Sequence, residues 1–255
     1  MNIQLNGKIA LVTGSSGGIG RAIAVALAAS GAKVGVNCLR NVRQGEETVA
    51  AIRAAGGEAV LVQADVSDVG QIERLVTEVE NAFGGTIDIL VNNAGSMLER
   101  RKNAEMTVDL YERVMDVNLK STVFMCKRVL PGMKAKGYGR IVNMSSVAAH
   151  HGGGPGSSLY AASKAAVWAY SKGLAKEVAA DGITVNVVSP GFIGDTMFHA
   201  TFTTDEARRA TVSTIPLKRE GKPEDVAGAV LYLVSDLAAY LTGESIEING
   251  GMLMR

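Results

Sequence analysis

Apolar positions along this chain fall into two alternating patterns: short, nearly unbroken runs, and longer stretches in which they return every third or fourth residue. An unbroken short run reads as a strand buried on both faces, and the helical return reads as an amphipathic crossover. The alternation therefore predicts parallel strands joined by helices. The runs are 8–13, 33–37, 59–63, 87–92, 140–145, 184–189 and Ser245–Ile248. Between them, helical stretches occupy 19–29, with a stop at Gly31, and 42–55, with a stop at Gly56. Another runs from Ser67 to Gly84, and the rest are 108–136, 158–180 and 224–235. Pro223 opens the last of these, where its missing N–H is harmless. The expectation is an α/β protein with one doubly wound, parallel, seven-stranded sheet, helices on both faces, and a single domain over 1–255. The stretch 192–221 reads as irregular and, by its length, as a substrate lid.

Charge narrows the partners. Basic residues number 26 and acidic ones 25, so neither nucleic acid nor a membrane surface is an expected partner. The chain opens without a basic segment leading into an apolar core and holds no run of about 18 apolar residues, which predicts a cytoplasmic protein. Cys38 and Cys126 lack metal-ligand spacing and read as reduced, inert thiols. His150 and His151, next to the fifth strand, have no partner set for a metal, so no metal site is expected.

Candidate chemistry sits at the carboxyl ends of the strands. Thr13-Gly14-Ser15-Ser16-Gly17-Gly18-Ile19-Gly20 joins the first strand to the first helix, where backbone can approach a pyrophosphate and the helix offers free N–H groups. Gly14, Ser16, Gly18, Ile19 and Gly20 are its candidate contacts. The second strand ends Asn37-Cys38-Leu39-Arg40 without an acid, and Asn37 is a candidate cofactor contact there. Arg40 could pair with a ribose 2′-phosphate, which favours NADP(H) over NAD(H), although a lone solvated arginine is as common. Asp65, followed by Val66, is placed to hold adenine or to cap the next helix. Asn92-Asn93-Ala94-Gly95 closes the fourth strand; Asn92, Ala94 and Gly95 are candidates there for close passage beside a cofactor.

Tyr160 and Lys164, four apart at the start of a helix, face the same way. A free phenol titrates near ~10, and an adjacent ammonium would lower that value, making Tyr160 a candidate general acid/base. Ser146 ends the fifth strand, with Ser145 as its alternative, and Asn118 interrupts the apolar face of its helix.

With these motifs in this order, and with Pro190-Gly191 after the sixth strand, the chain resembles the short-chain dehydrogenase/reductase family from end to end. The resemblance implies a Rossmann fold and hydride transfer between a nicotinamide and a carbonyl or alcohol. It implies a tetrad of Tyr160 as acid/base, Lys164 on the nicotinamide ribose, Ser146 on the carbonyl and Asn118 in a water-linked proton relay. Pro190, Gly191 and Ile193 become cofactor contacts, and a homotetramer packed partly through the helix bearing Trp168 is implied. Two departures stand out. Asp195 occupies the slot in which many members carry a threonine, with Thr196 one further on, and the Ser146–Tyr160 spacing is one residue longer than in many relatives.

Thr214-Ile215-Pro216-Leu217 and Asn249-Gly250-Gly251 resemble the 3-oxoacyl-carrier-protein reductase branch. Positions expected to be basic for carrier docking, however, hold Gly137 and Asp181. Arg100-Arg101-Lys102 could recognise an anionic substrate or could be a solvated loop; His199 reads as a lid or surface residue. A non-catalytic nucleotide sensor of the same fold is the alternative class, and the intact Tyr160–Lys164 pair favours an enzyme.

Overall fold

The computed structural model describes residues 3–254, with the side chain of His199 outside the described set. Its seven strands are β1 (Ile9–Val12), β2 (Lys33–Cys38), β3 (Glu58–Gln63), β4 (Ile89–Asn92), β5 (Gly139–Met144), β6 (Ile183–Pro190) and β7 (Ser245–Ile248). They form one parallel sheet in the order β3-β2-β1-β4-β5-β6-β7. The chain winds outward from β1 to β3, then returns beside β1 with β4 and winds the other way. This reversal opens a crevice above the carboxyl ends of β1 and β4.

Period-two alternation assigns each strand residue to a face. Ala10, Val12, Val34, Val36, Ile89 and Val91 enter one apolar cluster beneath α1 (Gly18–Ala29), α2 (Val42–Ala54) and α10 (Pro223–Val234). Ile9, Leu11, Leu90, Ile141 and Val185 enter the other, covered by α3 (Val69–Phe83), α5 (Ser121–Lys136) and α7 (Ser158–Val178). Both sheet faces are thus dry, which is why the strands read as unbroken apolar runs. Cys38 and Cys126 are buried free thiols, and burial pushes the Cys126 thiol up to about 12.

Three segments differ from the sequence expectation. The single helix expected over 108–136 is α4 (Val108–Met115), one π turn at Asp116–Lys120, and α5. A short helix, α6 (Ala148–His151), follows Ser146. The stretch 192–221 is not irregular: it holds α8 (Met197–Phe202) and α9 (Asp205–Thr214). No residue of α9 is buried, so it has no apolar stripe to betray its period. Thr204 starts it by accepting from the Ala207 N–H at 3.2 Å, with Asp205 and Glu206 in the first turn. Among the described residues no helix is long and apolar enough to cross a membrane.

Candidate active site

A cleft of about 970 Å³ opens over the crevice. Gly14, Ser16, Gly18, Ile19, Gly20, Gly95, Ser146, Tyr160, Lys164, Pro190, Gly191 and Ile193, all singled out from the sequence, line it.

The glycine loop is held by side chains from neighbouring strands. Asn37 Oδ1 accepts from the Gly14 N–H at 3.0 Å, Asn93 Nδ2 donates to the carbonyls of Thr13 (2.9 Å) and Gly14 (3.1 Å), and Thr13 Oγ1 accepts from the N–H groups of Asn93 and Ala94. The chain packs closely on itself here, and only glycine fits at two positions. A Cβ on Gly20 would lie 2.5 Å from the Gly14 carbonyl oxygen, and one on Gly95 would lie 2.6 Å from Asn118 Oδ1 and 2.8 Å from Lys164 Nζ. No side chain caps α1, and no acid sits in its first turn, leaving its N–H groups and positive end open to an anion. A dinucleotide fits this cradle.

Several expected contacts lie elsewhere. Asn37 is buried, and its Nδ2 donates to the carbonyls of Val62 (3.2 Å) and Ala64 (3.1 Å), so it ties the loop to β3 rather than facing the cleft. Asn92 is likewise buried and donates to Asn143 Oδ1 at 2.8 Å. Val66 packs in the α3-side cluster, and Ala94 braces Gly14 from behind. Asp65 Oδ1 accepts from the Ser67 N–H (2.9 Å) and Oγ–H (2.7 Å), and the cap of α3 is Asp68 rather than Asp65 or Ser67. Arg40 is exposed just past β2.

At the chemical end, the chain beyond β5 stays bonded to β6. The Ser145 N–H donates to the Val188 carbonyl and the Val147 N–H to the Pro190 carbonyl, which fixes Ser146 between them. Ser145 is buried, and its hydroxyl donates to the Lys164 carbonyl at 2.9 Å, anchoring α7. Ser146 instead faces the cleft and hydrogen-bonds Tyr160. The extra residue between Ser146 and Tyr160 is absorbed in the α6–glycine segment. Lys164 is 4% exposed, its Nζ donates to the Met144 carbonyl at 2.9 Å and lies 5.8 Å from the centre of the Tyr160 ring. Asn118, in the π turn and fully buried, stands behind Gly95: Oδ1 accepts from the Ser96 N–H at 3.1 Å, and Nδ2 donates to the Ser96 (2.7 Å) and Val114 (2.9 Å) carbonyls.

Electrostatics depart from expectation at Tyr160. Burial pushes the phenol up to about 12 against the opposing Ser146 hydrogen bond, and burial alone pulls Lys164 down to about 8. The lysine is committed to the Met144 carbonyl, so desolvation outweighs its pull on the phenol. The phenol therefore keeps its proton at neutral pH.

Sequence reasoning missed the upper wall. Phe198, 5.4 Å from the Tyr160 ring centre, lines the cleft with Phe202, Met197 and Met252. Thr196, not Asp195, meets the glycine loop: a Cβ on Gly18 would lie 3.6 Å from its Cγ2. Asp195 adopts a left-handed φ of 52°, which absorbs the added residue and carries Thr196 onto the cleft. Of the paired histidines, His151 lines the cleft, whereas His150 turns away to Glu247 at 3.3 Å and packs edge-on against Trp168. Gly137 caps α5 and Asp181 pairs with Lys134 at 2.9 Å.

The family described as enoyl-(acyl carrier protein) reductase matches residues 14–253. The 3-oxoacyl-acyl-carrier-protein reductase FabG of Escherichia coli strain K12 is 42% identical, covering 99% of this chain and 100% of its own length. Nodulation protein G of Azospirillum brasilense is 40% identical over 96% of this chain and 98% of its own. The solved structure of a dehydrogenase/reductase from Sinorhizobium meliloti 1021 superposes with a TM-score of 0.91 at 37% identity, covering 99% of this chain and 98% of that one.

Proposed function

The chain belongs to the short-chain dehydrogenase/reductase family of oxidoreductases, and from that premise we propose that it reduces a ketone to an alcohol with NADPH, Tyr160 giving the proton. The observation that carries the reading is the convergence of a half-buried phenol, a serine hydroxyl bonded to it and a buried lysine at one wall of a dinucleotide-sized cleft.

The glycine loop, the first turn of α1, Gly95, Pro190, Gly191, Ile193 and Thr196 would hold the dinucleotide, with Arg40 on the 2′-phosphate. When bound, the nicotinamide supplies the hydride. Ser146 Oγ–H orients the substrate carbonyl, and the Tyr160 hydroxyl donates its proton to that oxygen. The phenolate so formed is stabilised by the Lys164 ammonium, whose value of about 8 lets it pass a proton onward near neutrality. Asn118 flanks the same space as Lys164 beside Gly95 and supports a water-linked path for that proton. The segment 192–221 closes over the substrate, and the assembly is a homotetramer, which sedimentation would test.

The relatives favour a 3-oxoacyl group as the substrate. Against carrier-borne delivery, Gly137 and Asp181 provide no cation where the resemblance expects one.

The test is NADPH and NADH oxidation, followed by absorbance, against a panel of 3-keto acids, their esters and thioesters, aldehydes and keto-sugars. Tyr160→Phe is expected to lower turnover by about 10²–10⁴-fold while cofactor affinity holds. Turnover unchanged in that variant would remove the tyrosine from the mechanism, and tight cofactor binding without turnover across the panel would favour a nucleotide sensor.

A further inference from the structure

We propose that the outer wall of the cleft is an oxyanion-binding site formed by Arg100 and His151, and that the substrate is accordingly a keto compound carrying a carboxylate or phosphate. The inference rests on the reductase reading and names its substrate class.

Three successive cations, 100–102, are separated by the fold into different roles. Arg101 is spent on Glu99, and Lys102 is exposed at the start of the turn Asn103–Glu105. Arg100 alone of the three lines the cleft. Its Nε donates to the Phe202 carbonyl at 3.3 Å and its Nη1 to the Pro155 carbonyl at 3.2 Å. Both partners are neutral, and among the described residues no ion pair engages it. Arg208 and Arg219, on the segment 192–221, are by contrast each paired with a carboxylate, Glu220 and Asp225. Arg100 is therefore oriented at two points by carbonyls while its charge stays uncompensated, and a guanidinium held this way has N–H groups left for an oxyanion.

His151 supplies a second donor on the same short loop. Its Nδ1 accepts from the Gly153 N–H at 3.1 Å, which puts the proton of the neutral ring on Nε2. Gly153 and Pro155, the two anchors, are two residues apart, and the Arg101 N–H pins their loop through the Gly156 carbonyl at 2.9 Å. Beside them the outer wall carries an apolar patch, Met197, Phe198, Phe202 and Met252, with the uncharged Thr203, Thr204 and Thr211 along its edge. A carbon chain suits that surface, and a charged end is what its few polar groups can fix.

The experiment compares kcat/KM with NADPH for acetoacetate against its methyl ester, and for dihydroxyacetone phosphate against dihydroxyacetone, in the wild type and in Arg100→Leu. The expected result is a preference of about tenfold or more for the charged member of at least one pair, carried by KM and collapsing toward unity in the variant. Which pair shows it separates carboxylate from phosphate. Equal use of both members, a better neutral thioester, or a variant that slows both members alike would overturn the site while leaving the reductase reading intact. Should Arg100→Leu fail to fold, His151→Phe is read the same way, with a smaller collapse expected. Should no ketone turn over, the reductase reading fails. Calorimetric titration of 3-hydroxybutanoate against its methyl ester then decides the site alone: selective binding lost in the variant supports it, and binding indifferent to charge or to Arg100 removes it.

Discussion

Around the glycine loop, backbone groups facing the cleft are held by Asn37, Asn93 and Thr13, which reach across strands far apart in sequence and lie over a sheet dry on both faces. At the outer wall, the corresponding contacts are an exposed arginine on two carbonyls, a histidine on its neighbouring glycine loop, and α9 with no buried residue. The first region is rigid because its polar groups cannot let go without leaving buried partners unsatisfied. The second can re-form, because water replaces whatever it loses. In the proposed function, cofactor recognition would belong to the frame and substrate choice to the segments fastened onto it.

Glycine replacements should expose this difference most strongly. Gly20→Ala drives a methyl onto the Gly14 carbonyl and is expected to cost about 1–3 kcal/mol of stability, with cofactor affinity falling at least ~10-fold. Gly154→Ala at the outer wall would meet nothing closer than Arg100 Nη1 at 3.8 Å, and its stability in denaturant titration should stay within about 0.5 kcal/mol. Equal losses would erase the distinction. Removing polar ties comes next: Asn37→Ala should cost about 2–3 kcal/mol, since it strands buried groups of β3 and the loop. Glu220→Gln, which cuts the more exposed pair with Arg208, should lower the denaturation midpoint less than Asn37→Ala does.

The pH dependence tests the chemical end itself. Lys164 is held down to about 8, so it is charged at pH 7 and loses its proton as pH rises through that value, while Tyr160, pushed up to about 12, keeps its own. The rate of reduction should fall up to about tenfold per pH unit above about 8. A profile flat to pH 10 would remove the lysine's charge from the mechanism. Cofactor choice is tested at Arg40, exposed just past β2. Arg40→Ala should weaken NADPH about tenfold relative to NADH, and equal losses would make it a surface residue.

Strands and cofactor loop were legible from the chain because both depend on local pattern: an apolar run specifies a two-sided strand, and a glycine loop behind it specifies the anion cradle. Tyr160, Lys164, Ser146 and Asn118 were legible as residues, and the fold brings the first three to the cleft wall and the fourth behind Gly95. What failed to show was whatever depends on distance across space. Asn37 and Asn92 look alike in a strand end whether they face a ligand or a neighbouring carbonyl. The phenol's environment depends on how deeply the ring is set, and α9 within the segment 192–221 stays hidden because none of its residues is buried. Asp195 and Thr196 show a subtler limit, since one residue in the left-handed region shifts which side chain meets the loop.

The π turn at Asp116–Lys120 puts Asn118 a single residue out of step with the helix on either side. Deleting one residue there would let α4 and α5 join as a regular helix, because the wide turn absorbs its extra residue locally and leaves the flanking helices in phase. Asn118 would then swing away from Ser96 while α5 kept its hydrogen bonds. The tidier protein would fold at least as readily and would have lost the paired contacts of Asn118 with Ser96 behind Gly95. Single-residue indels in this turn would therefore separate two quantities that point mutations usually move together, how well the chain folds and how well it is phased to react.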